Sequence, residues 1–296
     1  MALSSQLRHI VFPKWRRHPA LNLSPAFSTS GLETCSEPEL SVEHATFFRW
    51  LFAAAGLDHR GYRSETLLRR LPACLRLLRA VSTSHARQLI EASPPLLGPS
   101  IGVMLVGVTS FFRDPEVFDW LAREGLQVRP GNRPGLYVWS AGCSDGAELY
   151  SVALLLHAAG QLRDAYLLGS DCRSEAIQRA RLGSYDESAV RGVPAPLLEQ
   201  CFQPQGSRWQ VAGAIRRQVR WSQSDLLKGI EPGTWDLILC RNTAMYLRPP
   251  ALAELWARIE AALRPGGLLV LGRAERPTGV KRLVAVRPSI FRRVRG

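Results

Sequence analysis

The sequence predicts an α/β protein: a doubly wound, mostly parallel sheet with a small N-terminal all-helical domain and an inserted β-subdomain. Over residues 119–296, apolar segments of strand length alternate with segments of helix length. This alternation is typical of parallel sheets that carry helices on both faces. Residues 41–98 show helical periodicity alone, which predicts the helical domain. A stretch over 184–222 interrupts the alternation and predicts the insertion.

The N-terminal part of the chain divides into two regions. Residues 1–40 are rich in Ser and Pro and lack periodicity, which predicts a flexible extension. The helical domain over 41–98 begins with SVEHATFFRWLFAAAGL, which opens on a Ser cap and closes near a Gly. Its second helix, SETLLRRLPACLRLLRAV, carries four arginines that can share a face: Arg69, Arg70, Arg76 and Arg79. Such a basic face is either solvated or docks an acidic partner.

Residues 99–118 are predicted to be a linker. After it, over residues 119–296, strands and helices alternate. The segments, in chain order, are GLYVWSAG (strand), ELYSVALLLHAAG (helix), DAYLLGSD (strand), SEAIQRARLG (helix), TWDLILCRN (strand), PPALAELWARIEAALRPGG (helix) and LLVLGRAE (strand). Within the insertion, SRWQVA and QVRWSQ are short strand-like pieces, and they predict a β-hairpin lobe.

The turn over residues 142–146, GCSDG, matches the G-x-S-x-G pattern of a hydrolase nucleophile elbow. That chemistry needs a histidine from a later loop. Only His157 follows Ser144, and it lies in the helix that the turn begins. The turn therefore does not predict a nucleophile. A strand, a Gly-containing turn and a helix N-terminus instead predict a ligand site at the carboxyl end of a parallel strand.

The ligand predicted at this turn is a nucleotide without a pyrophosphate group. The turn has neither the G-x-G-x-x-G pattern of dinucleotide sites nor the G-x-x-x-x-G-K pattern of phosphate loops. Asp171 ends the next strand, where a carboxylate accepts hydrogen bonds from ribose hydroxyls. Together these features predict an adenosine-type cofactor, with S-adenosylmethionine the natural candidate.

Composition limits the partners and the compartment. The net charge of +13 attracts polyanions, whether nucleic acid, anionic lipid or an acidic protein surface. The 6 cysteines are widely spaced, without a C-x-x-C pair, so we expect no metal site and no disulfide framework. The sequence shows no long apolar run and no secretory signal. We therefore expect a cytoplasmic protein that does not insert into membranes.

Six segments carry a resemblance to a known family. They are VTSFFRD (108–114), WSAGCSDGAELYS (139–151), LLGSD (167–171), RWSQSDLL (220–227), WDLILCRNTAMYL (235–247) and LRPGGLLVLGRAE (263–275). Together they resemble the chemotaxis receptor methyltransferases, which use S-adenosylmethionine to esterify glutamate side chains on chemoreceptor helices. The resemblance implies the S-adenosylmethionine methyltransferase fold over 119–296, a cofactor-contacting segment within 99–118, and S-adenosylhomocysteine as product. It also implies a monomer whose partner is the acidic helical cytoplasmic region of a chemoreceptor.

The resemblance also implies which residues form the site. The implied cofactor-binding residues are Thr109, Arg113, Gly142, Ser144, Gly146, Glu148, Asp171, Cys172, Asp225, Leu226, Arg241 and Asn242, and the implied catalytic residues are Arg113 and Tyr246. Asp171 is expected to bind the ribose, Asp225 to lie beside the adenine and Arg241 to line the methionine end. Arg113 is expected near the reacting centre and Tyr246 opposite the methyl group.

Several positions depart from the family pattern. Ala147 and Leu149 change GEEPYS to GAELYS, Gly107 and Asp225 each replace an Asn, and Arg273 replaces a His. These changes leave open a cofactor- or receptor-binding homologue with little catalytic activity, acting as a signalling adaptor. A nucleic-acid base methyltransferase would use the positive charge. Nucleic acid is nevertheless not the expected partner, because RNTAMY stands where such enzymes often show an N-P-P-Y run.

Overall fold

The structure, a computed structural model, describes residues 38–105, 107, 109–127 and 135–295. The predicted extension over 1–40 lies outside these residues except for 38–40. The helices are α1 Val42–Ala54, α2 Ser64–Leu78, α3 Thr83–Ala92, α4 Leu97–Met104, α5 Pro115–Arg123, α6 Ala147–Ala158, α7 Ser174–Leu182, α8 Glu187–Val190, α9 Ala195–Cys201, α10 Gly213–Arg216 and α11 Pro249–Ala262. The strands are β1 Tyr137–Ala141, β2 Tyr166–Asp171, β3 Ser184–Asp186, β4 Phe202–Gln205, β5 Arg208–Val211, β6 Val219–Gln223, β7 Trp235–Cys240, β8 Leu263–Leu271, β9 Leu283–Arg287 and β10 Ile290–Arg293.

Local sequence sets several helix ends. The side chains of Ser41 and Ser82 accept hydrogen bonds from the first turns of α1 and α3, where N–H groups otherwise lack partners. Proline begins α5 and α11, since its fixed φ suits the first helical position. Gly183 ends α7 in the left-handed conformation that glycine adopts without strain.

The main sheet has the order β6-β2-β1-β7-β8-β10-β9, in which the first five strands run parallel and β10 is antiparallel to both neighbours. This confirms the predicted mostly parallel α/β fold with an N-terminal helical region. From β1 the chain proceeds to β2 on one side, whereas β7 occupies the other side. Ligands bind outside the carboxyl ends of the strands at such a reversal of strand order.

Each face of the sheet is covered by a different part of the chain. Val138 and Leu239 face one side, where they pack with α6 and with the small sheet. Trp139 and Ile238 face the other side, where they pack with the N-terminal helices and with Trp256 of α11. Since neighbouring residues of a strand point to opposite faces, one strand contributes to both cores. The N-terminal helices thus form part of the packing that holds the sheet.

The insertion differs from the predicted hairpin. β3, β5 and β4 form a separate antiparallel sheet that includes SRWQVA. QVRWSQ forms β6, which pairs in parallel with β2 at the edge of the main sheet, so its assignment to the hairpin was wrong. Val219 is buried in the main core, and the ring of Trp221 lies 5.3 Å from that of Tyr150 in α6. These apolar contacts determine the sheet to which the strand belongs.

Every helix within the described ranges is too short or too polar to span a bilayer.

Candidate functional site

A cleft of about 260 Å³ opens at the carboxyl ends of β1, β2 and β7. The lining residues are Tyr62, Arg70, Leu105, Gly107, Thr109, Arg113, Gly142, Cys143, Ser144, Glu148, Asp171, Cys172, Arg173, Ser224, Asp225, Leu226, Leu227, Arg241, Asn242, Thr243, Met245, Tyr246 and Leu247. All the predicted site residues except Gly146 are among them. The cleft therefore brings together residues from the helical domain, the linker and four loops of the main sheet.

The turn after β1 approaches the cleft through its backbone. Gly142 has φ +75°, and a Cβ there would lie 2.6 Å from Thr243 Oγ1, so a side chain has no room. Ser144 also adopts a positive φ of 53°, and its N–H donates to Asp171 Oδ2 at 2.9 Å. Gly146 lies behind the turn: a Cβ there would meet the Trp221 ring at 2.5 Å. Gly146 thus permits close packing of helix and sheet rather than lining the cleft.

Asp171, expected at the ribose, is already paired within the protein. Arg173 donates to it from Nε to Oδ1 at 2.9 Å and from Nη2 to Oδ2 at 3.0 Å. Both side chains are buried. Burial disfavours the charged form of Arg173, but the hydrogen bonds and charge of Asp171 outweigh it and raise the pKa of the guanidinium. A buried ion pair consequently forms the wall of the cleft at the position where the sequence predicts the ribose.

One end of the cleft, beyond β2, combines apolar groups with a carboxylate. Asp225 Oδ1 accepts from the N–H of Leu227 at 2.9 Å, whereas Oδ2 is buried and finds no partner among the described residues. Burial raises the pKa of Asp225. Burial also raises the pKa of Cys172 to about 12, so its thiol stays neutral. Tyr62 and Leu226 complete this end, which suits a flat ring with one hydrogen-bond donor.

The opposite end, at β7, is built around Arg241. Its Nη1 lies 3.3 Å from Glu148 Oε2, while Nη2 donates to the carbonyl of Arg113 at 2.9 Å and contacts the Asp114 carboxylate. Glu148 also accepts from Ser140 Oγ at 2.8 Å. Burial raises the pKa of Glu148, although the neighbouring Arg241 opposes the shift. This network holds opposite charges in a largely desolvated region.

The loop after β7 carries Asn242 and Tyr246 into the cleft. Asn242 has a positive φ of 57°, and Ala244–Tyr246 form a single 3₁₀ turn. Glu275, just beyond β8, accepts hydrogen bonds from backbone N–H groups of this loop. The loop also contacts the helical domain, since the N–H of Arg63 donates to the Tyr246 carbonyl at 2.9 Å. Its conformation thus depends on two distant parts of the chain.

The basic helix α2 divides its arginines between two environments. Arg69, Arg76 and Arg79 are exposed, and Arg79 ends the helix with a positive φ of 52°. Arg70 instead lines the cleft, where its buried Nε has no hydrogen-bond partner within the described ranges. The four arginines therefore do not form one surface.

Among the residues that line the cleft or hold its loops, Tyr62, Asp114, Arg173 and Glu275 were assigned no role from the sequence. Arg173 follows the strand-ending Asp171 by two positions, and Asp114 follows Arg113 directly. An oppositely charged residue that close to a predicted ligand-binding residue was a usable signal. Glu275 ends the motif LGRAE at the carboxyl end of a strand, which was a second usable signal. The sequence offers no comparable signal for Tyr62.

The cleft can be tested for its fit to S-adenosylmethionine. The loops after β6 and β7 lie three strand spacings apart, which is about 14 Å. The first carries the unpaired acceptor Asp225 Oδ2; the second carries Arg241 Nε, a buried donor without a partner in the described part of the chain. The cofactor presents an exocyclic amine at one end and a carboxylate at the other, so these two atoms match it. The described residues form no cluster of side chains that could hold a metal ion.

Comparisons with known proteins agree with this cleft. Residues 107–289 match the family model described as CheR methyltransferase, SAM binding domain. The chain is 32% identical to the Chemotaxis protein methyltransferase Cher2 of Pseudomonas putida over 206 residues, which cover 65% of this chain and 75% of that protein. It is 26% identical to the Chemotaxis protein methyltransferase of Listeria monocytogenes over 239 residues, covering 80% and 91%. It is 30% identical to the Probable biofilm formation methyltransferase WspC of Pseudomonas aeruginosa over 235 residues, covering 77% and 56%.

Proposed function

Because this chain belongs to the CheR methyltransferase family and its cofactor is S-adenosylmethionine, we propose that it methylates glutamate carboxylates of chemoreceptor-like signalling proteins. The observation that carries the proposal is a cleft with a charged network around Arg241 at one end and an apolar end with the Asp225 carboxylate at the other, with Tyr246 in its lining. The reaction would join the cofactor's methyl carbon to a carboxylate oxygen and break its bond to sulfur, leaving an ester and S-adenosylhomocysteine.

The proposed reaction requires little proton transfer by groups of the protein. The bound cofactor supplies an activated methyl group on a positively charged sulfur. A glutamate carboxylate is ionised at neutral pH, so no general base is needed. The contribution left to the protein is alignment of the reacting groups, which is worth about 7–11 kcal/mol in well-oriented pairs. The absence of histidine from the sequence after His157 is compatible with this reaction.

Arg113 and Tyr246 are the residues proposed to orient the acceptor. Arg113 is partly buried, and a guanidinium can bind a carboxylate through two parallel hydrogen bonds. Tyr246 is also partly buried and belongs to the loop that Glu275 holds. Both residues line the cleft, which supports roles at the reacting centre. For the other residues predicted to bind the cofactor, we propose the roles that the family resemblance implies. Gly146 is left out, because it does not line the cleft.

The proposed substrate is the acidic helical region of a receptor. Its docking surface would include Arg69 and Arg76, which lie seven residues apart on one face of α2 and are exposed. We also propose that the protein acts as a monomer in the cytoplasm. The receptor need not serve swimming chemotaxis, since one relative is named for biofilm formation.

The salt bridge between Asp171 and Arg173 favours a second candidate. If this bridge excludes the ribose, the protein would be a receptor-binding signalling adaptor with little turnover. Purified protein, S-adenosylmethionine labelled in its methyl group and a chemoreceptor cytoplasmic fragment provide the test, with base-released methanol as the readout. We expect labelled methyl esters, and their loss in Asp171→Asn. Receptor binding without ester formation and without binding of S-adenosylhomocysteine would favour the adaptor.

A further inference from the structure

Glu275 makes an unusual set of contacts just after the last parallel strand. Its Oε2 accepts from the N–H groups of Asn242 and Gly272, both at 2.8 Å, and its Oε1 accepts from those of Ala244 at 2.8 Å and Met245 at 3.3 Å. Glu275 as a whole residue is only 5% exposed. Four backbone donors occupy the roughly four lone-pair sites of a carboxylate.

The loop that Glu275 contacts has weak means of holding its own shape. Asn242 is in the left-handed region, which costs a non-glycine residue about 1–3 kcal/mol. The single turn Ala244–Tyr246 has only 3₁₀-type hydrogen bonds, such as Tyr246 N–H to Thr243 O at 3.2 Å. The loop conformation must therefore be stabilised from outside. Arg63 contacts its end at Tyr246, and the Glu275 carboxylate accepts from the N–H groups of Asn242, Ala244 and Met245.

We propose that Glu275 is a positioning residue: its carboxylate fixes the Asn242–Tyr246 loop, and through it the residues expected to orient the methyl donor and acceptor. This proposal extends the proposed function. Its catalytic readout, the change in methyl transfer, rests on that function, whereas its hydrogen-exchange readout does not. Glu275 itself does not line the cleft, so its effect on the reaction would be indirect.

The chemistry requires a carboxylate at this position. A glutamine has the same shape but presents an NH₂ group, which would face backbone N–H donors instead of accepting from them. Space is also limiting, since a Cβ at Gly272 would lie 2.8 Å from Glu275 Oε2 and from Asn242 Nδ2. The side chain therefore cannot be rearranged easily within this site. An aspartate keeps the charge but is one methylene shorter.

The test compares Glu275→Gln and Glu275→Asp with Glu260→Gln. Glu260 also accepts a backbone hydrogen bond, from Arg282, but lies on α11 away from the cleft. Hydrogen exchange of the full chain measures the amides of residues 242–245, and titration with S-adenosylhomocysteine measures cofactor affinity. We expect exchange at Asn242, Ala244 and Met245 to accelerate at least about tenfold in Glu275→Gln, with unchanged exchange in β1. Glu260→Gln should leave the loop amides as they are.

Methyl transfer provides the second readout. A displaced loop should lower kcat by about 10²-fold, the effect of small misplacements of reacting groups, while KM for the receptor fragment changes much less. Wild-type exchange at the loop amides in Glu275→Gln, or equal acceleration in Glu260→Gln, would overturn the proposal. If Glu275→Gln fails to fold, Glu275→Asp decides: accelerated exchange supports the proposal and unchanged exchange overturns it. An inactive wild type with the expected exchange pattern would count against the proposed function alone.

Discussion

The Arg173 side chain donates two hydrogen bonds to the Asp171 carboxylate. The backbone N–H groups of Ser144 and Arg173 donate two more, so all of its roughly four lone-pair positions are occupied. Ribose hydroxyls that bind Asp171 must therefore replace bonds that the protein already makes. Gly107 provides room for this pair, because a Cβ there would lie 3.0 Å from Arg173 Nη2. One departure from the family pattern, Gly107, thus lies beside this ion pair.

Replacing Arg173 should make the protein more dependent on its cofactor. In Arg173→Met, Asp171 loses its buried partner, which typically costs about 3–5 kcal/mol of folding stability. The vacated lone pairs then become available to the ribose. We expect a lower melting temperature without ligand and a larger rise on adding S-adenosylhomocysteine than in the wild type. Thermal melts with and without ligand measure both.

Arg181→Met is the control, since Arg181 is an exposed arginine of α7, the helix that follows Arg173 directly. It should leave both melting temperatures near those of the wild type. A ligand-induced rise in Arg173→Met no larger than the wild-type rise would mean that Arg173 does not compete with the ribose.

Asp225 should make stability depend on pH. Its pKa is raised above 3.8 by burial, so the folded state binds the proton more tightly than the unfolded chain. Protonated Asp225 therefore contributes to the free energy of unfolding of the wild type. This contribution is complete below about pH 4 and is lost as pH rises through the raised pKa of Asp225. In Asp225→Asn we expect about 1 kcal/mol of extra stability at pH 7.5, because a buried unpaired carboxylate oxygen is removed.

Urea unfolding of both proteins at several pH values between 4 and 7.5 measures this difference. The advantage of Asp225→Asn should shrink steadily as pH falls towards 4. A difference independent of pH would show that Asp225 does not titrate anomalously, and that its second oxygen finds a partner.

Gly146 should tolerate no side chain. Gly146→Ala combines a left-handed conformation, costing about 1–2 kcal/mol, with a Cβ placed 2.5 Å from Trp221, and overpacking adds about 1–3 kcal/mol. Gly160→Ala is the control, since Gly160 has φ +69° and no atom within 4 Å of its added Cβ. Chemical denaturation should show the larger loss for Gly146→Ala. Equal losses would mean that Trp221 moves aside without cost.

The exposed arginines of α2 should govern partner binding but not cofactor binding. In Arg69→Glu/Arg76→Glu we expect roughly tenfold weaker binding of an acidic receptor fragment, with an effect that fades as salt screens the charges. Affinity for S-adenosylhomocysteine should stay unchanged, because neither residue lines the cleft. Arg163→Glu/Arg191→Glu, at two exposed positions outside α2, changes the net charge equally and is the control for charge alone. If it weakens receptor binding equally, α2 has no special role.

The sequence was sufficient for the architecture where the pattern of apolar residues is long and regular. The segments YVWSA, YLLGSD and WDLILC were recognised as strands because they are buried on both faces. VRWSQ was not placed in the main sheet, since its burial depends on Tyr150 in a helix far along the chain. Pairing partners of short strands follow from such distant contacts, which local periodicity does not contain.

The same distinction between local sequence pattern and distant contacts applies to the site. Resemblance selected residues that line the cleft, with the exception of Gly146, whose constraint is packing against Trp221. The sequence marked Arg173 and Glu275 as candidates by their positions, but it did not give their surroundings: Arg173 depends on space left at Gly107, and Glu275 depends on backbone N–H groups of a loop thirty or more residues earlier. Backbone donors leave no trace in side-chain identity, so the partners of Glu275 were accessible only from the fold.

The strand order also determines when the cleft can exist during synthesis. β1 and β2 are adjacent both in the sheet and along the chain, so Asp171 can reach its place early. β7 joins β1 only after the small sheet and β6 have been made, and pairings of such long sequence separation form slowly. The anchor for the β7 loop, Glu275, emerges from the ribosome later still. A nascent chain therefore has the Asp171 side of its cleft before the Arg241 side, and a ligand that contacts both sides can favour the native state only after the β7 loop has formed.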